Sequence, residues 1–360
     1  MRILLISPFG IDDARGNSVA TARLAHGFRS RGHFVTILSD VVRLSAEPDE
    51  LTETMRAVTA TAEAALIMHA THGASAAVFL RKAGIPYVVS FRGTDVHNLP
   101  MDTGNETALH STLEHAARII VFHDQMLRQL NDRYSDIDEK VIIVPNGLDL
   151  PDSTRDFRAE LGIGSDAVVM MSLAGLRDIK RPLFALSAVM RLITDYPGLR
   201  FVRAGPALDP GIREALDRIA AESPWLIDLG QIPHDDVSAF LRMGDIFVST
   251  SRAEGMPHAV NEAMMRGRAL LLSDISGHRA MAEPDVEALF FDDEVSFCSA
   301  ARRLIQEPDL RARLGNAARI RLENRLAAGD EISDYLRILL ECRISAHTHR
   351  VGSFSIENDT

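Results

Sequence analysis

The chain alternates short apolar runs with helical stretches along its whole length. Apolar runs of this length are typical of buried strands, and their alternation with helices favours a parallel α/β architecture over an all-helical or all-β fold. We predict strands at residues 2–7, 34–38, 65–69, 87–91, 118–122, 141–144, 168–173, 199–204, 226–229, 246–250, 269–273 and 288–291.

The predicted strands fall into two sets, separated by a turn-rich loop at residues 145–152. Each set is large enough to form a Rossmann-like domain with its own core. We therefore expect one domain at residues 1–148 and a second at residues 149–330.

The end of the chain predicts one more helix and then a tail. Apolar residues recur at helical spacing from Ile332 to Leu340, which predicts an amphipathic helix over residues 331–343. The chain from 344 to 360 is polar and aperiodic, so we expect a frayed, disordered segment there.

Composition and charge exclude several classes of protein. Of the 360 residues 46% are hydrophobic and 25% charged, as in globular proteins, and a formal net charge of −11 argues against general nucleic-acid binding. The two cysteines, Cys298 and Cys342, show neither metal-ligand spacing nor a disulfide framework, which favours the cytoplasm. No stretch approaches the roughly 20 apolar residues of a membrane span, so any membrane contact is expected to be peripheral.

Two glutamates, Glu254 and Glu262, lie at a predicted junction of strand, tight loop and helix. Pro257 suits the first turn of the helix and Gly267 its end. At such a junction the N–H groups of Gly255 and of the first helical turn can bind a diphosphate, and the two carboxylates can accept hydrogen bonds from sugar and ribose hydroxyls. On spacing alone the alternative stays open that Glu254 caps the helix and Glu262 is an ordinary solvated residue.

The segment from residue 251 to residue 277 resembles the signature of the family 4 retaining glycosyltransferases. This resemblance implies the GT-B fold, in which two Rossmann-like domains face a cleft and the C-terminal helix crosses back onto the first domain. It also implies that Glu254 contacts the donor sugar, that Glu262 contacts the ribose, and that Gly255, Met256 and Pro257 belong to the donor-binding loop.

A second helix start follows the first predicted strand, at Gly16 and Asn17, with Ser18 as its expected cap. The Gly-x-Gly-x-x-Gly pattern of dinucleotide dehydrogenases is missing at this turn, which weakens an oxidoreductase interpretation. By resemblance, Gly16 and Asn17 would face the donor diphosphate from the first domain.

Two cations, Arg177 and Lys180, follow a strand of the second domain. A positioned cation pair can stabilise a departing diphosphate, although a solvated basic turn is the alternative. The motif resembles the donor clamp of the family, and the later segment with Gly230 and Gln231 resembles the loop that contacts the base.

Polar residues at the ends of two first-domain strands are candidates for the acceptor side, because α/β proteins build sites there. We select His72, Arg92 and Asp95. Relatives often carry histidine where this chain has Arg92, so the acceptor contacts differ from the common pattern.

The resemblance thus implies a retaining hexosyltransferase that uses a nucleotide-diphosphate sugar, with a UDP-sugar as the first expectation, and the cysteine content favours a cytoplasmic location. The acceptor would be a small molecule, a glycan or a lipid, and neither a metal nor another cofactor is expected. A finer resemblance extends to selenosugar synthases and the glycosyltransferase 1 domain-containing proteins, although that subgroup favours glycine where this chain has Met256. A selenosugar- or thiosugar-forming transferase, a sugar-nucleotide epimerase, a phosphorolytic enzyme and a catalytically degenerate nucleotide-binding protein remain the alternatives.

Overall fold

The computed structural model describes residues 1–12, 15–97, 103–134 and 136–356. It divides into two compact units, of which the first comprises Met1–Gly147 with Gly329–Thr360 and the second comprises Leu148–Ala328. Each unit contains a parallel sheet of six strands covered by helices, as expected for a Rossmann-like domain.

The first unit has the strand order β2-β1-β3-β4-β5-β6. Its sheet and helices follow one another as β1 (Arg2–Ile6), α1 (Gly16–Ser30), β2 (Phe34–Leu38), α2 (Val41–Ser45), α3 (Pro48–Thr59), β3 (Ala64–Ile67), α4 (Ala74–Ala83), β4 (Tyr87–Ser90), α5 (Thr94–His97), α6 (Thr103–His115), β5 (Arg118–Val121), α7 (Asp124–Asn131) and β6 (Val141–Ile143).

The second unit has the strand order β12-β11-β10-β7-β8-β9. Its elements are α8 (Phe157–Glu160), β7 (Val169–Leu173), α9 (Pro182–Ile193), β8 (Arg200–Ala204), α10 (Pro210–Ala221), β9 (Leu226–Asp228), α11 (Val237–Met243), β10 (Ile246–Ser249), α12 (His258–Met265), β11 (Ala269–Ser273), α13 (Ser276–Arg279), β12 (Ala288–Phe291), α14 (Glu294–Gln306) and α15 (Pro308–Ala328).

Among the described residues, a strand lies at each of the twelve predicted positions. The central strands are buried along their length, which explains why they read as uninterrupted apolar runs instead of alternating patterns. Every pairing between neighbouring strands is parallel; Ile3, for example, pairs with Val35 on one side and with Ala64 on the other.

A final helix, α16 (Glu331–Ile356), returns to the first unit. Ile332, Tyr335 and Leu339 are buried in the same core as Leu24 and Phe28 of α1. The Tyr335 hydroxyl also lies 2.8 Å from Ser90 Oγ at the end of β4. The predicted crossing of the C-terminal helix back to the first domain is therefore confirmed.

The frayed tail predicted from residue 344 is corrected for most of its length. The backbone stays helical to Ile356, and only residues 357–360 of that prediction lie outside the described residues. The physical reason is that a formed helix gains one backbone hydrogen bond with each added residue, and this stretch contains no proline to stop it.

No helix within the described ranges combines the length and the apolar character needed to cross a membrane.

Candidate active site

Three loops meet at the carboxyl edge of the second sheet, and the first two of them carry most of the predicted donor residues. The loop after β7 forms a 3-10 turn at Asp178–Lys180, with half-buried Arg177 directly before it. Glu254 lies in the loop after β10, and the loop after β11 leads into α13. Because the carboxyl ends of neighbouring parallel strands share one edge, residues far apart in the sequence meet here.

Hydrogen bonds join the first two of these loops. Thr250 Oγ1 donates to the carbonyl of Lys180 at 2.7 Å, and Arg181 Nε donates to the carbonyl of Thr250 at 2.6 Å. The amide of Arg252 donates to the carbonyl of Ile179 at 2.8 Å. The backbone beneath Lys180 is thereby fixed to the backbone that leads into Glu254.

Lys180 and Glu254, predicted separately from the sequence, form an ion pair through Lys180 Nζ and Glu254 Oε1. Ser251 Oγ donates to the same carboxylate oxygen at 2.6 Å. Burial raises the pKa of Glu254, but the attraction of Lys180 and the hydrogen bonds from Lys180 and Ser251 outweigh it, so the pKa lies below its ordinary value. Glu254 is therefore a carboxylate at neutral pH, able only to accept hydrogen bonds.

Helix α13, which follows the third loop, packs against the backbone that carries Glu254. A Cβ atom on Gly277 would lie 2.7 Å from the carbonyl carbon of Glu254 and 2.8 Å from the carbonyl oxygen of Gly255. Real Cβ atoms essentially never approach other atoms this closely, so only glycine fits at this position.

His278, the residue after Gly277, is fully buried and ties the ends of two strands together. Its Nδ1 lies 2.8 Å from the carbonyl oxygen of Ser273, which can only accept, so the proton is on Nδ1. Its Nε2 then accepts from Ser249 Oγ at 3.1 Å. Burial lowers the pKa of His278, so the imidazole is neutral at pH 7.

The sequence prediction missed Gly277, His278 and Thr250. Thr250 lies directly after β10, whereas Gly277 and His278 lie in α13, the short helix that follows β11. These positions near strand ends are the signal that could have found them, since the carboxyl ends of such strands build sites. Sequence position alone does not show which of these residues contact the Glu254 loop.

Helix α12 begins at His258 and ends before Gly267, whose φ of +63° is a left-handed conformation that glycine adopts readily. The end agrees with the prediction, whereas Pro257 lies just before the first turn in which the sequence placed it. Pro257 occupies the N-cap position, and Gly255 and Met256 are buried in the loop before it. The first-turn N–H groups lack intrahelical acceptors, so this end of the helix suits an anion. Glu262 is also buried, with 6% of its surface exposed, in contrast to the solvated glutamate of the alternative interpretation.

A pocket of about 300 Å³ of empty volume lies beside the ion pair, entirely within the second unit. Its lining includes Lys180, Ser251, Glu254 and Pro257. A neighbouring pocket of about 320 Å³ shares Lys180 and extends toward β8. Lys180 therefore lines both spaces, and Glu254 lines the first.

Gly230 and Gln231, predicted near the base, lie in the loop after β9. The Gly230 amide donates to Asp228 Oδ1 at 3.0 Å, and Gln231 is exposed. Asp228 also pairs with buried Arg203 at 2.7 Å and with Arg213. These contacts fix the loop backbone and leave the Gln231 side chain accessible.

In the first unit, Gly16 is the first residue of α1 and half-buried Asn17 is the second. A Cβ atom on Gly16 would meet no atom of the described residues within 4 Å. The predicted cap Ser18 is corrected: Arg15 occupies the N-cap position, and the Ser18 amide bonds to the carbonyl of Arg15 inside the first turn. The two assignments lie three positions apart, which is more than the usual uncertainty of one or two residues at helix ends, because the helix already begins at Gly16.

His72 stacks on His69 with ring centroids 4.2 Å apart and contacts Phe9 edge-on. Burial, together with the neighbouring His69, lowers the pKa of His72 to about 4. His72 is therefore a neutral, half-buried aromatic surface at pH 7.

Asp95 is 1% exposed, and both of its carboxylate oxygens accept backbone hydrogen bonds. Oδ1 accepts from the amides of Arg92 and Gly93, and Oδ2 accepts from the amide of Ala70. Asp95 thus links the loops after β3 and β4, and in this structure it positions the backbone where the sequence suggested direct contact with an acceptor.

Arg92 stacks over the Phe122 ring at 4.6 Å and donates from Nη2 to Asn146 Oδ1 at 3.2 Å. Burial lowers the pKa of this guanidinium. The side chain thus lies at the carboxyl ends of β4, β5 and β6, which are neighbours in the sheet.

Comparison with known proteins agrees with this architecture. Residues 153–321 match the family model described as glycosyl transferases group 1, and residues 15–147 match that of the glycosyl transferase 4-like domain. The glycosyltransferase 1 domain-containing protein 1 of Xenopus tropicalis is 24% identical over 349 residues, covering 92% of this chain and 96% of that protein.

Solved structures show the same fold. The HepE protein of Anabaena, in complex with UDP and glucose, superposes with a TM-score of 0.78 at 14% identity, covering 97% of this chain and 100% of that one. Sucrose-phosphate synthase from Thermosynechococcus elongatus gives a TM-score of 0.82 at 16% identity, with coverage of 96% and 100%. The two family models together account for most of the chain, and the fold is the GT-B fold. This chain belongs to the group 1, family 4-like glycosyltransferases.

Proposed function

We propose that this protein is a retaining glycosyltransferase that moves a sugar from a UDP-sugar to an acceptor. The preferred assignment of the sugar is a hexose. The observation that carries the proposal is the ion pair of Lys180 and Glu254 beside a pocket at the carboxyl edge of the second sheet. A cation is what a departing diphosphate requires, and an ionised carboxylate is what sugar hydroxyls require as an acceptor. The pocket offers both in one place.

The donor would be held by several groups of the second unit. We assign the sugar hydroxyls to Glu254, the ribose to Glu262 and the diphosphate to the start of α12, together with Lys180 and Arg177. The loop with Gly230 and Gln231 would contact the base. The loop residues Gly255, Met256 and Pro257, and Gly16 and Asn17 of the first unit, remain predicted donor contacts.

In the reaction, the bond between the anomeric carbon and the diphosphate oxygen breaks and a bond from that carbon to the acceptor oxygen forms. The leaving diphosphate takes the bonding electron pair, and one of its oxygens takes the proton of the acceptor hydroxyl. Lys180 and Arg177 would stabilise the negative charge that develops on the diphosphate. Electrostatic stabilisation of this kind is usually the largest single contribution to catalysis. Retention requires the acceptor to attack from the face that the diphosphate leaves.

UDP is the preferred nucleotide because the structurally similar HepE protein has been solved with UDP and with UDP-glucose. The acceptor side is assigned to the first unit, where His72 offers an aromatic surface and Arg92 a cation, with Asp95 as a positioning residue. A cytoplasmic location stays the expectation from the cysteine content; both thiols are buried.

The test is a thermal-shift screen of UDP, GDP, ADP and TDP with their common sugar conjugates. A ligand that binds only the folded state raises the melting temperature, by an amount that depends on its concentration relative to Kd. We expect UDP and a UDP-sugar to raise it selectively, and the variants Arg177→Ala and Glu262→Ala to lose most of the shift.

The control is Arg218→Ala, which removes an exposed arginine of α10 and should keep the full shift. The configuration of the product, read by NMR from the anomeric proton, then tests retention. No shift with any nucleotide would refute the donor assignment, and an inverted product would refute the retaining mechanism.

A further inference from the structure

Arg92 carries two buried donors that have no acceptor. Its Nε and Nη1 atoms are covered from solvent and make no hydrogen bond among the described residues, while Nη2 bonds to Asn146. A charged group buried without partners is costly, and most buried polar groups in proteins are paired. The two donors therefore require an explanation.

The nearby carboxylates of Asp95 and Glu331 do not accept hydrogen bonds from these two donors. Both oxygens of Asp95 accept backbone amides, including that of Arg92 itself. Glu331 is held by Arg23 through both of its oxygens. The two carboxylates that attract Arg92, those of Glu331 and Asp95, are thus already engaged by other donors. Among the described residues, Nε and Nη1 have no hydrogen-bonded anion.

The position of Arg92 points to a ligand. Arg92 follows β4, Phe122 follows β5, and Asn146 follows β6, so the guanidinium lies at the carboxyl edge of the first sheet. Phe122 supports the flat face of the guanidinium and Asn146 fixes one edge. The remaining donors are held in place without being used.

We propose that Arg92 binds an anionic group, a phosphate or a carboxylate, on the acceptor. The inference rests on the proposed transfer function and narrows it to acceptors that carry a negative charge. A guanidinium forms strong, charge-assisted hydrogen bonds with either group, and lysine reproduces only the charge. Because solvent does not reach Nε and Nη1 in this structure, the protein groups that cover these two atoms must move when the anion binds.

The probe is inorganic phosphate, titrated against the full-length protein while the melting temperature is followed. Saturating UDP occupies the donor site, and a parallel titration uses Lys180→Met protein, so that neither result depends on phosphate bound by Lys180. We expect phosphate to raise the melting temperature in both settings. Arg92→Met should weaken phosphate binding at least tenfold, as expected for loss of a hydrogen bond to a charged group.

Two further variants complete the design. Arg92→Lys keeps the charge and should retain the fold but bind phosphate several-fold more weakly than the wild type. Arg128→Met removes an exposed arginine of α7 and should leave the phosphate response unchanged.

An equal phosphate response in wild type and Arg92→Met, or no response in wild type, would overturn the proposal. The affinity for UDP is measured on the same proteins and should not change in Arg92→Met. A tenfold loss of UDP affinity would show that the anion is the diphosphate of the donor and would also overturn it. If UDP fails to bind even the wild type, the proposed donor fails, and the Lys180→Met arm still reports on Arg92.

Discussion

Substitution of Gly277 by alanine tests whether the short helix α13, which follows β11, positions Glu254. The added Cβ would lie 2.8 Å from the carbonyl oxygen of Gly255 and would also contact the Glu254 carbonyl group. Ordinary contacts begin near 3.4 Å, so the two backbones must separate by at least ~0.6 Å. The atoms in the way belong to the main chain, so a side-chain rotation does not relieve the contact.

The expected cost has two parts. Overpacking of this kind destabilises a protein by about 1–3 kcal/mol, which lowers the melting temperature by roughly 2–4 °C per kcal/mol for a domain of this size. Displacement of the Glu254 loop should also weaken its hydrogen bonds to the donor sugar. Loss of a hydrogen bond to a charged group corresponds to about 10-fold to 150-fold in affinity.

The assay compares UDP with UDP-glucose by calorimetry. Because Glu254 is assigned to the sugar and not to the nucleotide, Gly277→Ala should bind UDP almost as the wild type does. Its affinity for UDP-glucose should fall by at least about tenfold, toward that of UDP alone. The ratio of the two affinities isolates the sugar contact from general damage.

Gly315→Ala is the matched control for destabilisation. A Cβ there would lie 2.7 Å from the carbonyl carbon of Gly267 and would contact its oxygen, just beyond the C-terminal end of α12, whereas the Glu254 loop precedes its N-terminal end. We expect a similar loss of melting temperature with an unchanged affinity ratio. Gly198→Ala, where no atom lies within 4 Å, should change neither quantity. If Gly277→Ala keeps the wild-type ratio, the positioning argument is wrong.

The other predictions concern the ion pair, the histidine surface and the C-terminal helix. Lys180→Met leaves Glu254 partly buried without its cation and should destabilise the protein by about 2–4 kcal/mol in chemical denaturation. The double variant Lys180→Met/Glu254→Gln should regain much of this stability. Equal stabilities of the single and double variants would contradict the prediction. Because the pKa of His72 is lowered to about 4, the unfolded state binds a proton below pH 6.5 that the folded state does not, so stability falls as the pH drops from 6.5 to about 4. After a discount for partial exposure this amounts to about 1–2 kcal/mol, and His72→Phe should flatten the pH dependence of the melting temperature over that range; an unchanged slope would refute the assignment. Tyr335→Phe should cost about 1–2 kcal/mol in urea unfolding because it leaves the Ser90 hydroxyl buried without its partner, and a neutral result would show that this bond contributes nothing.

The strands and most helices were predictable because their signals are local. A buried parallel strand is a short apolar run, and Gly267 marks the end of α12 through its own conformation. The last helix shows the limit of this approach. Its polar continuation beyond Arg343 carries no periodic signal, yet nothing in the chain stops the helix before Ile356.

The residue types of the candidate site were predictable, but their partners were not. Lys180 and Glu254 lie 74 positions apart, and only the parallel order of β7 and β10 brings their loops together. The buried His278 and the close approach of Gly277 depend on the same three-dimensional arrangement. A lone histidine or glycine in a sequence gives no measure of what it will touch.

The first unit shows a different limit, because the sequence does not reveal which backbone groups a carboxylate will bind. Asp95 follows a strand end as a ligand-binding aspartate would, but three backbone amides occupy its oxygens. Those bonds fix the backbone at Arg92 and Gly93. The Asp95 carboxylate therefore determines the position from which the Arg92 side chain extends. The sequence placed Arg92 and Asp95 together at the end of one strand, but it could not show that the Asp95 carboxylate is engaged by backbone amides.

The ion pair at the second sheet connects stability with function. Two charges that are each 12–17% exposed must be paired in the protein without donor, because an uncompensated charge at that depth is destabilising. The proposed donor offers new partners to both, a diphosphate to Lys180 and hydroxyls to Glu254. Binding would then exchange one set of charge-assisted contacts for another and leave little net charge to desolvate. The same exchange would favour a sugar nucleotide over the free nucleotide. The diphosphate of a free nucleotide pairs with Lys180, but without the sugar no hydroxyl donates a hydrogen bond to Glu254.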